Sequence, residues 1–68
     1  MASLEQQIGE RIRALRDAKD WFQKDLAKAA RLPVRTIGRI ERGEVDVRLS
    51  TLNRIAKALG EPLKNLLP

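Results

Sequence analysis

Apolar residues recur along most of the chain with the spacing of an α-helix. In the first segment they fall three or four positions apart, at Leu4, Ile8, Ile12 and Leu15. Because this spacing aligns side chains along one side of a helix, we predict a helix over about residues 4–18. Strand-like alternation is confined to Val45-Asp46-Val47, so the pattern indicates an all-α protein.

Two interruptions divide the next part of the chain into short helices. Residues 20–22 break the first pattern, and a second helix is predicted over about residues 23–30. Residues 31–33 form the next break. Because proline lacks an N–H and fits the start of a helix, a third helix is predicted from Pro33 or Val34 to Arg42. Gly43 then ends this helix in a left-handed conformation.

The last third of the chain predicts two more short helices. Residues 44–49 form a loop, and a fourth helix begins at Ser50 or the residue before it and stops at Gly60. Glu61-Pro62 then opens a short fifth helix. The apolar residues that these two helices turn inward are Leu52, Ile55, Ala56, Leu59, Leu63, Leu66 and Leu67. We therefore expect five short helices in one domain that covers residues 1–68.

The composition excludes several classes of protein. A chain of 68 residues has room for a single small domain. Because it has no Cys and no His, it lacks disulfides, the commonest zinc ligands, and the Ser-His or Cys-His pairs of nucleophilic enzymes. No apolar run approaches the roughly 20 residues of a membrane helix. We therefore expect no enzymatic activity, metal, cofactor, small-molecule substrate or membrane association.

The net charge of +5 is concentrated in the middle of the chain. Between Phe22 and Gly43, six Lys and Arg residues stand against two acidic residues. A local basic excess of this kind is typical of a protein that binds a polyanion. A basic face that is merely solvated would give the same count. The charge alone therefore does not distinguish a polyanion-binding surface from a solvated one.

The third helix has two chemically different sides. At about 100° per residue, Ile37 and Ile40 lie on one side, and the opposite side carries Arg35, Gly38, Arg39 and Arg42. Neighbouring arginines repel one another, and a glycine inside a helix costs about 1 kcal/mol relative to alanine. Arginine can bind guanine edges or phosphate, and a glycine would let the helix approach a surface closely. The alternative is a solvated arginine stripe with a tolerated glycine.

The order of these elements is that of a helix-turn-helix at about residues 23–42. Residues 8–67 resemble the phage-repressor and Cro type of helix-turn-helix domain, the XRE or lambda-repressor-like family. The segments that carry the resemblance are Ile8–Arg13, Gln23 with Asp25–Ala27, Thr36–Gly43, Leu49–Leu52 and Ile55–Gly60. The resemblance implies a five-helix bundle, sequence-specific binding of double-stranded DNA as a repressor-like transcription regulator, and a cytoplasmic, nucleoid-associated location.

The resemblance also implies roles for individual residues. The third helix would enter the major groove and contact bases through Pro33, Val34, Arg35, Gly38 and Arg39. Contacts to phosphate would come from Arg16, Phe22, Gln23, Lys24, Lys28, Thr36, Arg42, Arg48 and Ser50, with Gln23 bound either to phosphate or to side chains of the third helix. Arg16 and Glu41 match a partly buried salt bridge of the family; two unrelated surface charges are the alternative.

The chain departs from the family pattern around its two turns. Asp20 and Arg31 stand where the family has glycine with positive φ, which should cost Arg31 about 1 kcal/mol. Phe22 replaces the usual Ser or Thr cap, so we expect Asp20 or Gln23 to substitute in part. Trp21 should pack into the core between the first two helices. Phe22 either covers Trp21, which we favour, or lies exposed against the sugar-phosphate backbone.

Two further expectations concern partners. The competing function is a protein-interaction module of the antitoxin type, in which the same fold would present its basic face to an acidic protein. We expect a monomer in solution that pairs, if at all, on DNA, because the leucines of the fifth helix are needed to close the protein's own core.

Overall fold

The computed structural model describes residues 1–68, which form four α-helices and one 3-10 turn without any strand. The helices are α1 (Leu4–Asp17), α2 (Gln23–Ala30), α3 (Val34–Glu41) and α4 (Leu49–Leu59). The all-α prediction is confirmed, and every helix boundary lies close to the one that apolar spacing predicts. No helix combines the length and the apolar character needed to cross a membrane.

The predicted fifth helix is wrong. Residues Leu63–Leu66 form a 3-10 turn, in which the N–H of Asn65 donates to the carbonyl of Pro62 over 3.0 Å. A four-residue segment closes in this tighter geometry because one turn is too short to establish an α-helical ladder. Its leucines turn inward as expected, since Leu66 is fully buried and Leu63 packs against the core.

One hydrophobic core joins all five elements. Twelve buried residues compose it: Ile8, Ile12, Leu26, Ala27, Ala30, Ile37, Ile40, Leu52, Ile55, Ala56, Leu59 and Leu66. Trp21 is partly buried against this cluster, which agrees with the prediction that it packs there. Since α3 contributes both of its isoleucines, its opposite side is turned away from the core.

The two turns around α2 adopt the backbone that the resemblance implies. Asp20 has φ 59° and Arg31 has φ 57°, so both occupy the left-handed region that glycine usually fills. The side chain of Arg54 on α4 supports the second turn, because its guanidinium donates to the carbonyls of Ala30 (3.1 Å) and Arg31 (2.7 Å). The C-terminal carbonyls of α2 are thereby satisfied by a cation, which also suits the helix dipole.

The start of α2 is capped from within the helix. Phe22 has no side-chain acceptor, and the carboxylate of Asp25 accepts the N–H of Phe22 over 2.7 Å. This is the reach-back half of a capping box. Neither Asp20 nor Gln23 accepts a helix amide in place of the missing cap, so that expectation is wrong; the N–H of Asp25 donates to the carbonyl of Phe22 over 3.0 Å.

A close crossing at Gly9 fixes how α1 lies on α3. A Cβ built on Gly9 would stand 2.4 Å from the carbonyl oxygen of Ile40 and 2.6 Å from that of Glu41. Backbone atoms cannot yield as a flexible side chain can, so only glycine permits this separation. The crossing brings the end of α3 against α1, where Arg16 lies.

Gly43 and Gly60 form a matched pair for a test of the loop after α3. Both have positive φ, 72° and 73°. A Cβ on Gly43 would lie 2.7 Å from Cα of Gln6, whereas nothing lies within 4 Å of one on Gly60. Gly60→Ala should cost about 1 kcal/mol of unfolding free energy for its backbone alone. Gly43→Ala should cost about 2–3 kcal/mol, because overpacking is added. Urea unfolding measures both, and equal losses would contradict the close packing of Gly43.

Candidate nucleic-acid interface

The outer side of α3 is open to solvent. Arg35 and Arg39 are exposed, and Val34 at the start of the helix is 50% exposed. On the opposite side Ile37 and Ile40 are buried in the core. Pro33 precedes the helix in an extended conformation and is also exposed. The structure therefore presents an arginine face, here defined as Val34, Arg35 and Arg39, that no part of the chain covers.

Gly38 does not belong to this open face. It is buried, and a Cβ built on it would lie 3.1 Å from Nη1 of Arg42 and 3.4 Å from Oε1 of Gln23. The expectation that Gly38 contacts bases is corrected on this ground, since side chains of α2 and α3 lie over it. The missing Cβ instead leaves room for the Gln23 side chain between α2 and α3.

The buried ion pair implied by the resemblance is present. Arg16 donates from Nε to Oε2 of Glu41 (2.7 Å) and from Nη2 to Oε1 of Glu41 (3.1 Å). Its Nη1 donates to the carbonyl of Trp21 (2.5 Å) and lies 3.2 Å from the carboxylate of Asp17. Arg16 is 8% exposed, as is Glu41. The hydrogen bond to Glu41 raises the pKa of Arg16 above its ordinary value, although burial acts in the opposite direction.

Arg16 is therefore not available as a phosphate contact, and that expectation is corrected. All three nitrogens of its guanidinium are directed to acceptors of the chain itself. Glu41 also accepts from Nε2 of Gln23 over 3.1 Å. The side chain of Gln23 thus follows the second of its two expected roles, because it binds a side chain of α3. Together these residues connect α1, α2 and α3 directly beneath the arginine face.

The residues expected at phosphate surround the arginine face with varying exposure. Exposed members are Phe22, Lys24, Lys28, Arg42, Arg48 and Ser50, whereas Gln23 and Thr36 are partly buried. Phe22 remains 69% exposed, so it is not buried as a cover for Trp21. The ammonium group of Lys19 lies over the Trp21 ring instead, 5.2 Å from its centroid.

The beginning of α4 offers unpaired backbone amides. Arg48 is its N-cap residue and makes no side-chain capping hydrogen bond. Leu49 and Ser50, the first two helical residues, are exposed. The first amides of a helix have no intrahelical acceptor and carry a partial positive charge, which favours an anion at this end.

An acidic residue at the edge of the arginine face was missed by the sequence analysis. Glu44 accepts from Nε of Arg42 over 2.5 Å, and its other oxygen lies 3.9 Å from Nε of Arg39. The hydrogen bond from Arg42 lowers the pKa of Glu44 below its ordinary value, and the same bond raises the pKa of Arg42. Helical spacing within α3 could not have found Glu44, because it follows the helix.

Other surfaces offer no comparable site. Two shallow depressions lie elsewhere, one between α2 and α4 and one between α1 and Pro68. Neither is lined by a residue of α3. No cluster of three or more His, Cys, Asp or Glu side chains could hold a metal ion. The arginine face is the one surface on which charge, exposure and helix orientation coincide.

Comparisons with known proteins give a consistent result. The helix-turn-helix family HTH_3 matches residues 12–66. The crystal structure of the restriction-modification controller protein C.AhdI from Aeromonas hydrophila is 33% identical, covers 93% of this chain and 96% of its own, and has a TM-score of 0.90. The clp gene regulator ClgR from Corynebacterium glutamicum is 26% identical over 97% of this chain and 86% of its own, with a TM-score of 0.91.

A longer protein matches over one part of its length. The competence regulator ComR from Streptococcus vestibularis is 38% identical over 96% of this chain but only 22% of its own, with a TM-score of 0.87. Among curated protein sequences, none matches this chain.

Proposed function

Because the chain belongs to the helix-turn-helix family HTH_3, a family of DNA-binding regulators, we propose that it binds double-stranded DNA sequence-specifically with α3 in the major groove. The observation that carries this proposal is the division of α3 into a buried isoleucine side and an open arginine face. The major groove of B-DNA is about as wide as a helix, and its base edges carry the hydrogen-bond pattern that distinguishes sequences.

The arginine face supplies the base contacts in this proposal. Arg35 and Arg39 donate paired hydrogen bonds to O6 and N7 of guanine, which is the commonest specific contact in the major groove. Val34 packs against a thymine methyl group at the start of the helix, beside Pro33. The network of Arg16, Glu41 and Gln23 holds α3 against the rest of the domain, so these side chains are presented on a fixed support.

Contacts to phosphate fix the register of α3 in the groove. We assign these contacts to four exposed cations: Lys24, Lys28, Arg42 and Arg48. Thr36, Ser50 and Phe22 complete the proposed contact to the sugar-phosphate backbone, together with the free amides at the start of α4. If each of these four cations neutralises one phosphate, the logarithm of the association constant should fall against the logarithm of salt concentration with a slope of about −3.6.

Arg48→Ala tests whether a cation outside α3 contacts only phosphate and leaves the recognition of base sequence to the arginine face. Arg48 lies outside α3 and should contact only phosphate, so its loss should weaken binding to every duplex by a similar factor. The salt slope should also become shallower by about one. Titration of fluorescent duplexes by anisotropy measures both quantities. A loss confined to one sequence would show that Arg48 reads bases.

Selection from a pool of randomised duplexes tests the function itself. Sequencing of the bound fraction should show enrichment of a short motif that contains guanine at two positions, one for each arginine of the face. If the pool shows no enrichment and random duplex is not bound at low salt, the interaction of the basic face with an acidic protein, as in antitoxins, replaces this proposal.

The proposed binding unit is a monomer in solution that pairs only on DNA. Leu66 is fully buried, and Leu63 and Leu67 pack against the protein's own core. These apolar side chains therefore pack within one chain and are not left for a dimer interface. A single module of this size has a small footprint on DNA, so pairing would raise its affinity. Light scattering of the free protein and of its DNA complex measures both states.

A further inference from the structure

The turn after α3 holds Glu44 beside the arginine face. Gly43 has φ 72°, and its N–H donates to the carbonyl of Ile40 over 3.0 Å. The N–H of Glu44 donates to the carbonyl of Arg39, also over 3.0 Å. These two bonds form the Schellman motif, in which a left-handed residue turns the chain back over the last turn of the helix. The backbone of Glu44 is therefore fixed rather than free to swing away.

The carboxylate of Glu44 engages the last two arginines of this region. One oxygen accepts from Nε of Arg42 over 2.5 Å, and the other lies 3.5 Å from its Nη2 and 3.9 Å from Nε of Arg39. Arg35, one turn earlier on the helix, has no carboxylate partner. One anion is thus shared by an arginine proposed to read bases and an arginine proposed to bind phosphate.

This arrangement adds little to the stability of the fold. The side chains of Arg39, Arg42 and Glu44 are 47%, 58% and 47% exposed, and ion pairs with such exposure contribute little because water screens them. Its consequence for DNA is larger. A phosphate that approaches Arg42 or Arg39 must displace the Glu44 carboxylate and is repelled by it.

We propose that Glu44 is a specificity-determining residue, which competes with DNA phosphate for Arg42 and for Arg39. The inference rests on the proposed DNA-binding function and adds to it. Binding to random DNA depends almost wholly on phosphate contacts, so the competition weakens it most. At a preferred sequence guanine holds Arg39, so Glu44 competes with phosphate for Arg42 alone, whereas on random DNA it competes for both arginines. Glu44 therefore widens the difference in affinity between the preferred sequence and random DNA.

Glu44→Gln tests this role against a matched control. The variant should bind random duplex about two- to fivefold more tightly, as the strength of exposed charge pairs suggests. Its salt slope on random duplex should become steeper by about one, because Arg42 now releases a counterion. Affinity for the selected duplex should rise less, so the ratio of the two affinities should fall. Glu10→Gln makes the same change in net charge at an exposed site on α1 without an ion pair, and should leave the ratio unchanged.

A double-mutant cycle measures the part of the effect that acts through Arg42. In an Arg42→Gln background, Glu44→Gln should tighten binding to random duplex by a smaller factor than in wild type, and the remainder acts through Arg39. Thermal unfolding should not change in Glu44→Gln, since the backbone hydrogen bond to Arg39 is kept. Equal effects of the Glu44 and Glu10 variants would overturn the inference in favour of net charge alone. Weaker binding of Glu44→Gln to the selected duplex would overturn it too, because Glu44 would then make a favourable contact.

The experiments distinguish failure of the proposed DNA-binding function from failure of the inference about Glu44. Wild-type protein that binds no duplex, or binds all duplexes equally, overturns the proposed reading of DNA and this inference with it. Wild-type protein that discriminates between duplexes, while the two glutamine variants behave alike, overturns the inference alone.

Discussion

Glu41→Gln is expected to lower the free energy of unfolding by about 3 kcal/mol. Glutamine has nearly the shape of glutamate but removes the charge that pairs with Arg16, whose buried guanidinium would then keep only the exposed carboxylate of Asp17 beside it. The removal of one partner from a buried pair typically costs about 3–5 kcal/mol, mainly because the remaining charge is uncompensated. The unfolding free energy of a domain of this length is roughly 3–10 kcal/mol, so the variant should lose about a third of it or more.

Urea unfolding followed by circular dichroism measures this loss. Asp17→Asn is the matched control, because Asp17 also lies beside Arg16 but its side chain is 57% exposed. It should change the unfolding free energy by less than about 1 kcal/mol, as is usual for an exposed pair. If both variants lose the same small amount, the Arg16–Glu41 pair does not hold α1 to α3, and the arginine face needs another support.

Local sequence features were sufficient to predict most of the fold. Apolar spacing located α1 to α4, since each helix buries one stripe in a common core and leaves the other sides in water. Proline and glycine marked the boundaries of α3, because one removes an N–H and the other tolerates left-handed φ. Resemblance to a known family added the positive φ of Asp20 and Arg31 and the Arg16–Glu41 pair, none of which periodicity could indicate.

The features that the sequence did not predict depend on contacts between helices, on residues beyond the end of a helix, or on the length of a segment. A helical wheel gives the direction of Gly38 but not its neighbours, and Gln23 reaches over it from α2. The wheel for α3 ends before Glu44, so the carboxylate beside the arginines was overlooked. The segment at Leu63–Leu66 is apolar like a helix, yet one turn is too short to form a regular ladder. The surroundings of Gly38 and Glu44 depend on tertiary position, and the conformation of Leu63–Leu66 depends on the length of the segment.

The double variant Arg35→Ala/Arg39→Ala is expected to abolish discrimination between DNA sequences. Each arginine is proposed to make a bidentate contact to guanine, worth about 1–3 kcal/mol of discrimination. The loss of both should weaken binding to the selected duplex by about 2–6 kcal/mol. Random duplex should lose far less, because its binding depends on phosphate contacts made elsewhere. Alanine is a good helix former and both positions are exposed, so α3 should remain folded.

The control for this variant is Arg11→Ala/Arg13→Ala, which removes the same two charges from exposed positions on α1. If long-range attraction explained the effect, the two double variants would weaken both duplexes to a similar extent. If Arg35 and Arg39 read bases, only the α3 variant should collapse the ratio of selected to random affinity, and unfolding of both proteins should remain like wild type. Equal losses of the α3 variant on both duplexes would instead assign its arginines to the phosphate backbone. Sequence recognition would then have to come from DNA shape, because no other exposed helix of this domain carries a comparable face.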